Sequence, residues 1–186
     1  TGFNSMGAIA TEQGGTGTIG GQLTLAANST LQTNGNGAVL NVGAVNKTDF
    51  TLTLTHTGGG TGTINMNGVI SGNNIGFNDD LVVNGVTANL NAANTYLGPT
   101  FINSITAGDG ILNANVANAL PTAFGRTAVV MDSAGAGGSI LNIGGSAGFP
   151  AGASQSIASL VSTQVSSKVT LGSNTLTIGF ITGVEN

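Results

Sequence analysis

The sequence predicts an all-β fold in which short strands wind into a β-solenoid. Three observations support this prediction: apolar residues alternate with small polar ones over short stretches, Gly and Asn clusters interrupt the alternation, and a long phrase recurs along the chain. Alternation with a period of two is typical of short strands between turns. Recurrence over tens of residues is typical of coiled repeat architectures.

The composition indicates a folded chain with few charges. Charged residues make up 5% of the sequence, against roughly 25% in an average soluble domain, and 32 residues are Gly. Disorder requires low hydrophobicity and high net charge, whereas this chain has a mean hydropathy of +0.30 and a net charge of −4. We therefore predict a single β-solenoid domain over residues 1–186. One segment of a longer repetitive protein stays open as the alternative.

The same composition argues against several classes of partner. Lys47, Arg126 and Lys168 are too few and too scattered to neutralise a phosphate backbone, so we expect no nucleic acid partner. No apolar run approaches the roughly 20 residues of a spanning helix, so we expect no membrane insertion. The chain has no Cys, and stability must come from backbone pairing and an apolar interior.

The predicted strands follow one another along the whole chain. In order, they are Gln22–Leu25, Ala38–Val42, Phe50–His56, Thr63–Met66, Leu81–Val83, Thr100–Asn103, Ile111–Asn113, Ser139–Ile143, Lys168–Leu171 and Thr175–Ile178.

Turn residues separate these strands. Asn-Gly pairs are expected to supply the positive φ angles that tight corners need. The Asn-Gly pairs are Asn34-Gly35, Asn36-Gly37, Asn67-Gly68 and Asn84-Gly85.

One stretch, Asn115–Ala123, is the only place where the sequence allows a helical turn, and Pro121 limits its length.

An internal repeat favours coiling over a β-sandwich. Phe3–Ala10 aligns with Ile64–Ser71 at an offset of 61 (64 minus 3), and Ala26–Ser29 aligns with Ala92–Thr95 at an offset of 66 (92 minus 26). The repeat therefore covers approximately residues 3–29 and 64–95. This spacing divides into about three turns of roughly 20 residues, within the range of solenoid repeats. Asn side chains at equivalent corners are expected to form hydrogen-bonded ladders between coils.

One phrase of the chain closely resembles the autotransporter-associated β-strand repeat. The resemblance lies in Asn67–Gly72, Ala92–Tyr96, Gly98–Thr100 and Ile102–Asn103. It implies a right-handed parallel β-helix from a secreted or surface-displayed bacterial protein, with an extracellular or cell-surface location. The segment Ser104–Leu112 departs from the family pattern and indicates a small insertion. The family has no shared catalytic residues, so none is implied here.

Two motifs with catalytic or cofactor connotations are better explained as strand sequence. Gly15–Gly20 matches G-x-G-x-x-G, but a dinucleotide site needs a following helix, and another strand follows here. His56 is the only imidazole, and we expect it at the surface end of a strand because further metal ligands are lacking. We therefore predict no catalytic, cofactor-binding or metal-binding residues, and no cofactor.

The acidic residues do not form a convincing site. Asn78-Asp79-Asp80-Leu81 is similar to a calcium-binding β-roll sequence, but no second copy lies one coil away, so a solvated turn is favoured. Cleavage of a polysaccharide would need paired carboxylates or a cluster of basic residues. Four further acids are isolated in the sequence: Glu12, Asp109, Asp132 and Glu185.

Rows of Thr raise the question of a flat binding face. Thr51, Thr53 and Thr55, and again Thr61 and Thr63, are similar to the Thr-x-Thr faces of ice-binding solenoids. Their spacing is irregular, so ordinary β propensity is the simpler explanation. Tyr96 and the seven Phe residues are spread along the chain, which favours packing in the interior.

These features predict a non-enzymatic structural or adhesive surface protein, a solenoid stalk or filament subunit that assembles head to tail. The alternative is a carbohydrate- or ice-surface-binding module that uses a flat Thr/Asn face. The head-to-tail hypothesis also draws on the termini, because Ile181–Asn186 read into Thr1–Gly7 resembles family sequence. Open solenoid ends expose unpaired backbone groups and favour stacking on another copy.

Overall fold

Short strands arranged in successive coils account for most of the chain. In the computed structural model, residues 8–72, 80–105, 108–121, 127–133, 137–163 and 165–179 are described, and these residues form strands, turns and bends but no helix. The first three coils contain β1 (Ile9–Ala10), β2 (Thr16–Ile19), β3 (Leu23–Thr24), β4 (Ser29–Asn34), β5 (Val39–Val42), β6 (Val45–Asn46), β7 (Leu52–Thr57), β8 (Thr63–Met66) and β9 (Ile70–Ser71).

The remaining strands form four further coils. The fourth and fifth coils contribute two strands each, and the sixth and seventh contribute three each. They are β10 (Leu81–Asn84), β11 (Thr87–Leu90), β12 (Thr100–Ser104), β13 (Gly110–Ala114), β14 (Ala128–Ser133), β15 (Ser139–Asn142), β16 (Gln155–Ile157), β17 (Ser159–Ser162), β18 (Lys168–Thr170) and β19 (Leu176–Ile178).

Equivalent strands of successive coils pair side by side, so the coils stack into a solenoid. The first sheet has the order β1-β4-β7-β10-β12-β14-β17, and the second sheet contains β2-β5-β8-β11-β13-β15-β18. The third sheet contains β3-β6-β9, and β16 pairs separately with β19. Every pairing between these strands is parallel. The predicted all-β solenoid architecture of short parallel strands is therefore confirmed.

The interior is filled by apolar side chains that stack in rows from coil to coil. In the first sheet, Leu31, Leu54, Val83 and Ile102 lie opposite one another in register, and each is nearly inaccessible to solvent. Rows from all three sheets join one apolar core. Burial of such a side chain contributes roughly 1.5–3 kcal/mol, so the stacked rows are the main source of stability.

The coil is longer than the expected length of roughly 20 residues. Successive Asn residues of one row in the second sheet are separated by 24, 24, 24 and 29 residues. Ile9 and Ile70, which the alignment at an offset of 61 equates, lie in the first and third sheets respectively. That offset is not a multiple of the 24-residue coil, so it does not mark structurally equivalent positions.

Turns follow the expected chemistry with two exceptions. Gly35, Gly37 and Gly85 have positive φ angles, as the Asn-Gly pairs predict. Gly68 does not; a Cβ atom at this position would lie 2.4 Å from the backbone N of Ala44, so Gly68 is needed for close approach of two coils. Within the described part of Asn115–Ala123 there is a single turn rather than a helix, with Asn118 at a φ of 58°.

Candidate functional site

A row of five asparagines crosses the outer surface of the second sheet. We call Asn41, Asn65, Asn89, Asn113 and Asn142 the asparagine row; they lie opposite one another in register. Each side-chain amide after the first donates to the side-chain oxygen of the preceding Asn, at N···O distances of 2.8, 2.7, 2.6 and 2.8 Å. The predicted hydrogen-bonded ladder therefore exists, and its longest copy lies within strands rather than at corners.

A shorter ladder follows the same sheet at the next corner. Asn91 donates to Asn67, and Asn115 donates to Asn91, each at 2.8 Å. The hydroxyl of Ser146 then donates to the side-chain oxygen of Asn115 at 2.7 Å. An Asn side chain has two N–H donors and an oxygen that can accept twice, so a ladder of single bonds leaves further hydrogen-bonding capacity at each step.

The row beside the asparagine row is mixed in character. Thr63 and Thr87 lie in it next to Asn65 and Asn89, so a Thr-x-Asn pair recurs in register in the third and fourth coils. Val39, Ile111 and Ile140 occupy the same row in other coils, and Lys168 follows at the seventh. The second sheet therefore presents a largely uncharged face, and its Thr/Asn character is limited to part of that face.

A lysine and a tyrosine meet in the interior where the third sheet faces the first. Lys47 and Tyr96 are both inaccessible to solvent, and the Lys47 Nζ lies 5.2 Å from the centre of the Tyr96 ring. The Tyr96 hydroxyl lies 2.8 Å from Thr100 Oγ1, which lies 2.8 Å from Thr127 Oγ1. Burial raises the pKa of Tyr96, while the hydrogen bond with Thr100 acts in the opposite direction. This arrangement anchors two distant coils and leaves both groups out of reach of a solvent-borne substrate.

The predicted position of the other aromatic residues is corrected for those that the structure describes. Tyr96 lies in the interior, as expected. Phe50, Phe101 and Phe149 are half-buried, and Phe101 lies on the outer side of β12 because it alternates with the buried Thr100 and Ile102. The described phenylalanines therefore do not form an interior stack.

His56 was expected at the surface, and this expectation is wrong. Its side chain is 2% exposed and lies on the inner side of β7, the same side as Leu52 and Leu54. Its Nδ1 lies 3.1 Å from Thr33 Oγ1, while the buried Nε2 has no hydrogen-bond partner. Burial lowers the pKa of His56, and a hydrogen bond to Thr33 acts in the opposite direction.

Two acidic residues accept hydrogen bonds from the next coil. Asp109 accepts from the Gly138 N–H at 2.7 Å, and Asp132 accepts from the Thr163 hydroxyl at 2.6 Å. Glu12, Asp109 and Asp132 are exposed, and Asp80 is half-buried. Asn78, Asp79 and Glu185 lie outside the described residues. Among the residues that the structure describes, no group of three or more His, Cys, Asp or Glu side chains could hold a metal ion.

The remaining candidates also lack reactive groups. The G-x-G-x-x-G stretch forms β2, and the next element is the strand β3, as predicted. An open depression of about 450 Å³ is lined by Ala27, Asn28, Asp49 and Phe50, and therefore contains a single carboxylate. In the described part of the chain, no helix is long and apolar enough to cross a membrane.

Comparisons with known proteins do not identify a relative. No family model, no curated protein and no solved structure matches the chain.

Proposed function

We propose that this chain is a non-enzymatic structural and adhesive solenoid, a stalk or filament subunit whose units stack end to end. The observation that carries the proposal is the uninterrupted parallel pairing of seven strands in both the first and the second sheet. Such a stack has no intrinsic end, because each coil offers the same backbone donors and acceptors to the next. A heterologous contact of this kind generates open filaments.

The residues that resemble the autotransporter-associated repeat have architectural roles, which supports membership of that family. Ile70 is a buried strand residue, Tyr96 packs under Lys47, and Ile102 belongs to an interior row. We extend the proposal to a right-handed coil, because parallel crossover connections within one sheet are nearly always right-handed. An extracellular or cell-surface location in a bacterium follows from the same resemblance.

The absence of enzymatic activity is also part of the proposal. The described acids are separated along the stack, and Asp109 and Asp132 each accept a hydrogen bond from the next coil, so we expect no paired carboxylates of the kind that hydrolyse glycosidic bonds. The two most unusual polar groups, Lys47 and His56, are buried and face the interior.

End-to-end stacking is tested with two variants matched in exposure. Leu171 lies in the last coil and Val69 lies in the middle of the stack, and both side chains are 41% exposed. We expect the unmodified chain to show concentration-dependent association in sedimentation velocity and filaments in negative-stain images. Leu171→Asp should weaken association, whereas Val69→Asp should not. Dispersed monomers of the unmodified chain at high concentration would contradict the proposal.

The second candidate function is a carbohydrate- or ice-surface-binding module. The observation that favours it is the second sheet, where Thr63–Asn65 and Thr87–Asn89 repeat in register beside a ladder of amides. Such groups repeat at the strand spacing of about 4.8 Å, so they are suited to an uncharged ligand that is itself periodic.

This candidate is tested by substituting one face at a time. Thr87→Lys places a charge on the outer face of the second sheet, and Thr53→Lys does the same on the first sheet, where Thr53 is also half-buried. Sedimentation with insoluble polysaccharides and an ice-recrystallisation assay are the readouts. Loss of binding with Thr87→Lys alone would support the candidate, and equal behaviour of both variants and the unmodified chain would contradict it.

A further inference from the structure

The last coil differs from the others in its exposed apolar side chains. Among the described residues, five large apolar side chains are exposed, and four of them lie in the last coil or its turn. Val69 is the fifth. Isolated exposed apolar residues are ordinary on a protein surface, but a concentration of them marks an interaction site. The four are Val161 at 47%, Val165 at 106%, Leu171 at 41% and Ile178 at 51%.

The backbone of the same coil has an open edge. β17 and β18 are the final strands of the first and second sheets, and β1 and β2 are the strands at the opposite ends. No strand among the described residues pairs with the outer edge of any of these four strands. Each edge presents a row of backbone groups that a parallel strand can use.

The two end coils carry opposite charges. The described stretch of the last coil, residues 159–179, contains one charged side chain, Lys168. The first coil, residues 8–25, also contains one, Glu12. Both side chains are exposed. Glu12 lies in the turn before β2, and Lys168 is the first residue of β18, so a second copy placed with its first coil on this last coil brings the opposite charges to the same side of the stack.

We propose that the last coil binds the first coil of a second copy, in the register that continues both seven-stranded sheets. The proposal rests on the end-to-end assembly proposed above and names its partner surface. The existing rows define the register: Lys168 lies opposite Thr16 of the other copy, and Thr170 lies opposite Thr18.

This register covers the exposed Leu171 and continues an interior row of the first sheet. In the second sheet, Ile19 and Val42 lie opposite each other, one residue after the row that contains Thr18, Asn142 and Thr170. Leu171 directly follows Thr170, so in this register it would pack on Ile19 of the second copy. In the first sheet the row of Met131 and Ser162 would continue with Ile9. A tail-to-tail arrangement would instead bring two copies of Lys168 together and pair the strands antiparallel, unlike every other strand pairing described in the molecule.

Cysteine cross-linking tests the register directly, because the chain contains no Cys. Thr18→Cys and Thr170→Cys proteins are mixed and treated with a short bis-maleimide cross-linker. We expect a covalent dimer in this mixture. A mixture of Thr57→Cys and Thr170→Cys serves as the control. Thr57 is an exposed residue of β7, in the middle of the stack, so this mixture should give no dimer.

The outcomes separate the register from the proposed function. If the unmodified chain assembles but the mixture of Thr18→Cys and Thr170→Cys gives no cross-linked dimer, the proposed register is wrong. A dimer from Thr170→Cys alone would indicate a tail-to-tail contact instead. A lack of any assembly at high concentration would overturn the end-to-end function itself.

Charge reversal provides an independent test of the same interface. Lys168→Glu and Glu12→Lys should each weaken association roughly twofold to fivefold, the range expected for exposed charge pairs. The double variant should regain the unmodified association constant, measured by sedimentation at low salt. Circular dichroism establishes that all three variants fold. A double variant as weak as either single variant would overturn the proposed pairing of the two end coils.

Discussion

The second and third sheets hold neighbouring coils together in different ways. The second sheet runs through all seven coils and repeats the same backbone pairing and the same Asn in five of them. The third sheet contains three strands and ends at β9. Its inward residues Leu23, Val45 and Ile70 are succeeded by Asn94, which has a side chain poorly suited to a strand.

Asn94 takes over the connection where the third sheet ends. Its side-chain oxygen accepts from the Ile70 N–H at 2.8 Å, and its side-chain amide donates to the Ala119 carbonyl at 2.7 Å. Its own backbone N–H donates to the Asn118 carbonyl at 2.9 Å. One buried side chain therefore joins the third, fourth and fifth coils. The comparison indicates that a regular sheet spreads its cohesion over many equivalent bonds, whereas an interrupted sheet depends on one residue.

Replacement of Asn94 should have the largest effect. Asn94→Leu keeps the branched shape of the side chain but leaves the Ile70 N–H and the Ala119 carbonyl buried without partners, and each such group costs about 1–3 kcal/mol. We expect a loss of about 3 kcal/mol in the free energy of unfolding, measured by urea denaturation. Hydrogen exchange of the Ile70 amide should accelerate, because its acceptor has been removed.

Asn28 provides the matched control for this substitution. It occupies the same Ala-Ala-Asn sequence context and accepts the Thr51 N–H at 3.0 Å, but its side chain is exposed. Asn28→Leu should change the stability by no more than about 0.5 kcal/mol, because water replaces the lost bond. Equal losses for the two variants would mean that Asn94 has no special role at the end of the third sheet.

A substitution within the asparagine row should have a smaller effect. Asn89 donates to Asn65 and accepts from Asn113, and its side chain is half-buried. Asn89→Ala should cost about 1 kcal/mol, because water can reach part of the gap and the backbone pairing on both sides is retained. Asn91→Ala, in the shorter ladder, is the comparison variant. A cost for Asn89→Ala as large as that for Asn94→Leu would contradict the distributed cohesion of the second sheet.

Each predicted strand overlaps an observed one, and the buried residues of these strands are mostly apolar. Eight observed strands were not predicted: β1, β4, β6, β9, β11, β14, β16 and β17. In β4 the buried residues include Gln32 and Thr33, which are satisfied by Thr57 and His56 of the next coil. Alternation of apolar and polar residues does not reveal such a strand, because its polar residues are buried through partners more than twenty residues away.

The sequence indicates two further features that were not predicted, the burial of His56 and the length of the coil. His56 has the same parity as Leu52 and Leu54, and this parity places it on the inner side of β7. The 24-residue spacing of Asn65 and Asn89 gives the coil length directly. Chance similarity at offsets of 61 and 66 concealed that period. The Lys47–Tyr96 contact could not be predicted, because it depends on how two coils that are not adjacent approach each other in the interior.

Protonation of His56 should not affect the free energy of unfolding at neutral pH, but it should lower that free energy in acid. Its pKa is lowered in the folded chain, so between that pKa and the ordinary value of 6.5 the unfolded chain binds more protons than the folded chain. Stability should therefore fall as the pH decreases below about 6.5, because protonation places a charge on a buried ring whose Nε2 has no partner. His56 is the only histidine, so His56→Gln should remove this dependence while retaining a polar contact with Thr33. Urea denaturation at a series of pH values between about 7.5 and 5.5 measures the effect, and identical pH profiles for the two proteins would show that His56 is not the titrating group.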